Sequence, residues 1–105
     1  MICRDGAITN LRVEGVPLGL LPDRDYEEIR FDAQPGDLVV LFSDGVSDHL
    51  SEDSQEYGSG RLGRIVQKHS KLNPRQLVKK IFADLDGFNM KRFDDQTLII
   101  MRVKR

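Results

Sequence analysis

The sequence predicts an α+β fold in which an antiparallel sheet is covered on one face by a helical pair. Three observations carry this. Short apolar or alternating runs of strand length occupy the first half of the chain, up to Phe42. Two segments with helical spacing follow each other between Arg61 and Gly87, and one more apolar run, Gln96 to Val103, closes the chain. Helices grouped together, rather than alternating with strands, favour an antiparallel sheet with one covered face over a parallel βαβ arrangement.

Met1 to Leu11 reads as a hairpin, with Asp5-Gly6 as the two-residue turn that tolerates positive φ. Gly15 to Pro22 is apolar but holds two glycines and two prolines, so it is expected to be a packed, irregular connection. Tyr26 to Asp32 alternates, with Ile29 and Phe31 on one side, as a half-exposed strand does. Gln34-Pro35-Gly36-Asp37 has the residues of a type II turn, which would send the next strand back antiparallel. Leu38 to Phe42 is apolar throughout and is expected to be a strand buried on both faces.

Ser51 to Gly60 is polar and ends in Gly58-Ser59-Gly60, the composition of a mobile surface loop. Arg61 to Ser70 places Leu62, Ile65, Val66 and His69 at helical spacing, although Gly63 weakens that helix by roughly 1 kcal/mol relative to alanine. The next helix is the best specified. Asn73 is its N-cap, Pro74 its first residue and Gln76 completes a capping box, while Leu72 and Leu77 stand at the positions of a hydrophobic staple. Leu77, Val78, Ile81, Phe82 and Leu85 form its apolar stripe, and Gly87 is the expected stop. Asn89 to Phe93 is a short basic loop before the last strand.

At 105 residues the chain is one domain or part of one. Sixteen basic residues against seventeen acidic ones, with no basic block, argue against nucleic acid as a partner. The apolar runs fall far short of the roughly 20 residues needed to cross a bilayer, and no secretory leader is expected, because Met1-Ile2-Cys3-Arg4 breaks at once into Asp5-Gly6. Cys3 is the sole cysteine, which excludes an internal disulfide and a cysteine zinc site and fits a reducing cytoplasm. It lacks a nearby histidine and reads as a small packed residue. His49 and His69 stand outside any metal-spaced pair, and His69 falls on the apolar side of its helix.

Chemistry is concentrated in two acidic segments. Ser43-Asp44-Gly45-Val46-Ser47-Asp48 follows the run Leu38 to Phe42, and Asp94-Asp95-Gln96-Thr97 leads into Leu98-Ile99-Ile100-Met101. An aspartate at a strand end puts a carboxylate at the rim of a sheet, on backbone that the strand holds rigid. Two such rims side by side would make a hard-oxygen site for Mg²⁺ or Mn²⁺. Taken singly, an Asp-Gly pair is most often only a turn, and an Asp-Asp pair a solvated loop.

Leu38 to Val46 resembles the third acidic motif of the protein phosphatase 2C superfamily, and Asp94-Asp95-Gln96-Thr97 its final motif in the form typical of the bacterial stage II sporulation protein E branch. Pro17-Leu18-Gly19, the Gln34 to Leu38 turn and the stretch from Tyr57 to Leu62 match as well, so the resemblance runs from about Arg4 to Val103. It implies a serine/threonine phosphatase in which two Mn²⁺ or Mg²⁺ ions activate water without a phosphoenzyme. Asp44 and Asp94 would ligate the same ion. Gly45 would let the backbone turn tightly beside it, Asp95 would orient the ligands rather than bind, and Asp48 matches a more distant acidic position linked to a further ion.

The resemblance also implies an incomplete site. The family places a bridging aspartate, in an Asp-Gly pair, in an N-terminal half that this chain lacks, and Asp5-Gly6 sits instead in the hairpin turn expected here. Residues 1–105 are therefore expected to be the C-terminal portion of a single phosphatase domain, half of an α-β-β-α sandwich. In isolation it would bind Mn²⁺ weakly, hydrolyse phosphoserine poorly, and expose an apolar face prone to self-association. The branch implies a phosphorylated anti-sigma-factor antagonist as partner. The competing readings are a non-catalytic interaction module derived from the same fold, and a metal-dependent nuclease, which the absence of a basic stripe disfavours.

Overall fold

The computed structural model describes residues 1–11 and 30–104. The expected connection at Gly15 to Pro22 and most of the Tyr26 to Asp32 strand lie outside them; of the latter, Arg30, Phe31 and Asp32 are described and are not in a strand.

Strands β1 (Ile2–Arg4) and β2 (Ala7–Thr9) form the expected hairpin. Its turn takes positive φ at both central residues, Asp5 at 51° and Gly6 at 78°, the geometry whose twist matches that of the strands. Strand β3 (Leu38–Phe42) pairs antiparallel with β1, and β4 (Leu98–Arg102) pairs with β3 along its whole length, from Leu38↔Arg102 to Phe42↔Leu98. The sheet order is β2-β1-β3-β4. Gly36, at φ 92°, sits in the Pro35-Gly36 turn that precedes β3, closed by Asp37 N–H to the Gln34 carbonyl at 3.0 Å.

Two helices cover one face. α2 (Gly58–Lys68) and α3 (Pro74–Phe88) bury Leu62, Val66, Leu77, Ile81 and Leu85 against Cys3, Leu38 and Val40 of the sheet. A one-turn helix, α1 (Asp44–Ser47), follows β3 directly. The capping box of α3 is formed as its sequence requires: the Asn73 side chain accepts from Gln76 N–H at 2.8 Å, and Gln76 returns a bond to Asn73 N–H.

Three expectations are corrected. Leu38 to Phe42 is not buried on both faces. Its residues alternate, and Leu41, Ile99 and Met101 are 49%, 50% and 47% exposed on the face opposite the helices, so its uninterrupted apolarity serves two faces of which only one is covered here. Gly58-Ser59-Gly60 is not loop but the first turn of α2, and the segment before it is tied by Ser51 N–H to the Gln55 carbonyl at 2.8 Å and Tyr57 N–H to the His49 carbonyl at 2.7 Å. Gly87 does not stop α3. Phe88 remains helical and packs edge-on against buried Tyr57, with ring centroids 5.4 Å apart, so tertiary contact carries the helix past the glycine to Asn89.

Arg102 lies on the covered face and ties the layers together. Its guanidinium donates to the carbonyls of Gly36 (3.1 Å), Ser70 and Leu72 (2.9 Å), joining β4 to the turn before β3 and to the α2–α3 connection.

Candidate metal centre at two acidic turns

Pairing of β3 with β4 places the segments that flank Phe42↔Leu98 side by side. The ladder continues past the strand ends: Ser43 N–H donates to the Thr97 carbonyl and Thr97 N–H to Ser43 Oγ, both at 3.0 Å. The Ser43 hydroxyl also reaches the Asp95 carbonyl at 3.3 Å. Ser43 is the N-cap of α1 by position, but its side chain makes no bond to that helix, because it is used to bind the opposite turn.

Gly45 is the closest point of contact. It is buried, and a Cβ placed on it would lie 1.9 Å from the Asp95 carbonyl oxygen. Its φ is not in the left-handed region, so the glycine is required for close approach of two backbones rather than for the tight turn that the motif suggested. Asp44 is thus the first residue of α1, one position from this contact, and Asp94 lies one position from it on the other chain segment. Asp44 and Asp94 are both exposed.

The Asp94 carboxylate is oriented from within its own turn: Oδ1 accepts from Asp95 N–H at 2.8 Å. Asp95 therefore contributes through its backbone, whose N–H holds Asp94 and whose carbonyl receives Ser43 and abuts Gly45. Asp48 ends α1, its N–H bonded to the Asp44 carbonyl at 2.7 Å, and its side chain is exposed. Asp44, Asp48 and Glu56 line a cleft of about 570 Å³ together with Ser47 and Ser59.

The donor set fits a hard divalent cation in kind. Exposed carboxylate oxygens on rigid turns suit Mg²⁺ or Mn²⁺. It falls short in number: among the described residues no three of His, Cys, Asp and Glu come together closely enough to hold an ion. Asp44 and Asp94 would supply two of about six positions in an octahedral shell, the rest falling to water or to donors beyond these residues.

His49 is a structural residue of this site that the sequence did not reveal. It is 2% exposed. Its Nε2–H points at the carbonyls of Leu85 (3.1 Å) and Asn89 (2.8 Å), which can only accept, so Nδ1 is free to accept from the Gln96 side-chain amide at 3.2 Å. The imidazole thereby links the segment after α1, the end of α3 and the turn that carries Asp94. Its only signal in the sequence is an isolated histidine next to an acidic motif, which does not separate this role from an exposed one. Cys3 is buried as expected, and burial pushes its thiol pKa up, which leaves it unreactive.

Comparison with known proteins identifies the family and the fold. The model of the family Stage II sporulation protein E (SpoIIE) matches residues 1–104. Phosphoserine phosphatase RsbU of Bacillus subtilis (strain 168) is 30% identical over 102 residues, covering 96% of this chain and 30% of that protein. The phosphatase domain of the cell fate determinant SpoIIE from Bacillus subtilis superposes with a TM-score of 0.71 at 18% identity, over 99% of this chain and 47% of that one. Its Mn-presoaked form gives 0.64 at 19% identity, over 98% and 45%. The chain thus spans less than a third of the curated relative and about half of the matched phosphatase domain. The structural likeness establishes the fold as that of the protein phosphatase 2C type, and the sequence match over nearly every residue shows that the chain belongs to the Stage II sporulation protein E family.

Proposed function

We propose that residues 1–105 are the C-terminal portion of a metal-dependent serine/threonine protein phosphatase domain. The observation that carries this reading is the contact of Gly45 with the Asp95 carbonyl, which brings Asp44 and Asp94 to adjoining turns at one rim of the sheet. The name of the relative RsbU supplies phosphoserine as the bond type to test. In the complete domain, Asp44 and Asp94 would hold one of two Mn²⁺ or Mg²⁺ ions, and the Asp95 N–H would keep Asp94 turned toward it. Such ions, when bound, lower the pKa of a water and stabilise developing phosphoryl charge.

The open face of the sheet, with Leu41, Ile99 and Met101, would receive the N-terminal half of the domain, which would also bring the remaining carboxylate. Without it, the same apolar face would drive self-association. The substrate proposed from the branch is a phosphorylated anti-sigma-factor antagonist protein, and the setting a bacterial cytoplasm. Among the described residues no helix is long and apolar enough to cross a membrane.

The test is Mn²⁺-dependent release of phosphate from a phosphoserine protein, measured for these 105 residues alone and for the same chain joined to the first half of a domain of this family. Activity is expected only in the joined form, and it should be lost on Asp44→Ala or Asp94→Ala. A joined, folded form whose metal binding ignores both substitutions would instead be an interaction module that retains the fold without its chemistry.

A further inference from the structure

A second feature of the molecule lies on the outside of the helical layer. α2 and α3 leave a groove of about 490 Å³ between them, and its walls differ in charge. On the α2 side stand Arg61, Arg64 and Lys68, all exposed, at intervals that set them along one line of the helix. On the α3 side stand Ala83, Asp84, Gly87 and Phe88. Asp84 accepts the hydroxyl of Tyr57, and the ion pairs among the described residues are Arg4–Asp37 and Arg92–Asp86. The three cations therefore have no carboxylate partner among the described residues.

The groove has a floor as well as a charge. The Arg61 guanidinium lies 4.8 Å from the centroid of the Phe88 ring, which gives it a fixed platform. Arg64 Nε is tied back to the Gly60 carbonyl at 3.3 Å. Across from them, a Cβ on Gly87 would meet nothing within 4 Å, so the α3 wall is open at that position. From Arg61 to Lys68 the cations span about 10 Å of helix axis, a reach that a single small anion does not fill.

We propose that this groove docks an acidic segment of a partner protein, whose carboxylates meet Arg61, Arg64 and Lys68. Charge complementarity, the fixed Arg61–Phe88 platform and the open wall at Gly87 support that occupant. The groove also begins at Tyr57, the residue before Gly58, which lines the cleft beside Asp44. A segment held here would be delivered next to the acidic turns, but the docking does not depend on what those turns catalyse.

The test uses the full chain and fluorescence anisotropy of a short labelled peptide of alternating glutamate and alanine, with its glutamine counterpart as the neutral control. Binding of the acidic peptide alone is expected. Arg61→Gln with Arg64→Gln should weaken it by about tenfold, while Arg75→Gln with Lys79→Gln, an equal change of charge outside the groove, should change it by less than about twofold. Gly87→Glu blocks the groove from the opposite wall without removing any contact and should weaken binding as strongly. That variant keeps the test decisive if loss of Arg61 disturbs folding. Equal weakening by both pairs, no effect of Gly87→Glu, no binding of the acidic peptide, or displacement of the peptide by dilute inorganic phosphate would each overturn the proposal.

Discussion

Gly45 and the carbonyl of Asp95 touch so closely that no side chain fits between them: a methyl group on Gly45 would sit 1.9 Å from that oxygen. The neighbour in the way is backbone, held by Ser43 on one side and by the β3–β4 ladder on the other, and so it cannot step aside as a side-chain end could. Gly45→Ala should therefore destabilise the chain by about 1–3 kcal/mol, the range for overpacking a close contact. Urea denaturation checks this, and an unchanged midpoint would mean that the two turns are not locked together.

Gly63 predicts the opposite outcome in the same experiment. It is buried in α2 where the helix crosses the hairpin, yet an added Cβ would meet Ile8 at 3.5 Å and Met1 at 3.8 Å, ordinary van der Waals distances. Alanine gains helix propensity there without a clash. Gly63→Ala should raise stability by about 0.5–1 kcal/mol.

Asp37 sets the acid limit of the fold. Its carboxylate is buried and accepts from Arg4 Nε at 3.0 Å, Arg4 Nη2 at 2.8 Å and Gln34 N–H at 2.8 Å. The Arg4 bond, then the backbone bond, hold its pKa below the usual carboxylate value. A group whose folded pKa is depressed contributes stability that is fully present above its unfolded pKa and is lost as pH falls through the folded one. The denaturation midpoint should thus hold from neutral pH down to the ordinary aspartate range and decline below it. Asp37→Asn should be less stable at neutral pH and should lose that part of the acid dependence.

Arg102 predicts a cost far from either acidic turn. Removing it leaves the carbonyls of Gly36, Ser70 and Leu72 without their charged donor. Arg102→Met should cost about 2–3 kcal/mol, and Arg102→Lys should recover only part, since an ammonium cannot reproduce the planar fork. Thermal unfolding of the two variants separates the loss of charge from the loss of geometry.

What could be read from the sequence was whatever is local or periodic. The capping box at Asn73 and Gln76, the Asp5-Gly6 turn and the stripe Leu77, Ile81, Leu85 depend on neighbours within one or two turns, and they formed as expected. The strands that the two acidic turns adjoin placed each at a sheet rim, and the family resemblance, rather than any local pattern, brought the two rims together. The rest depended on partners distant in the chain. Gly87 has the composition of a helix stop, but Phe88 and Asn89 are held by Tyr57 and His49, and those contacts outweigh a local propensity of about 1 kcal/mol. Ser43 and His49 carry bonds across 36 to 54 positions, which no spacing rule anticipates. An apolar run such as Leu38 to Phe42 also reads the same whether a second layer covers it or not.

Whether Asp44 and Asp94 share one cation is measured by a Mn²⁺ titration followed by electron paramagnetic resonance. With the chain joined to the first half of a domain of its family, Asp44→Asn and Asp94→Asn should each weaken binding of one Mn²⁺ by at least about tenfold, and the double variant should lose little more, as expected for two ligands of one ion. Two substitutions that leave Mn²⁺ affinity unchanged, or whose losses simply add as for separate sites, would contradict a shared cation.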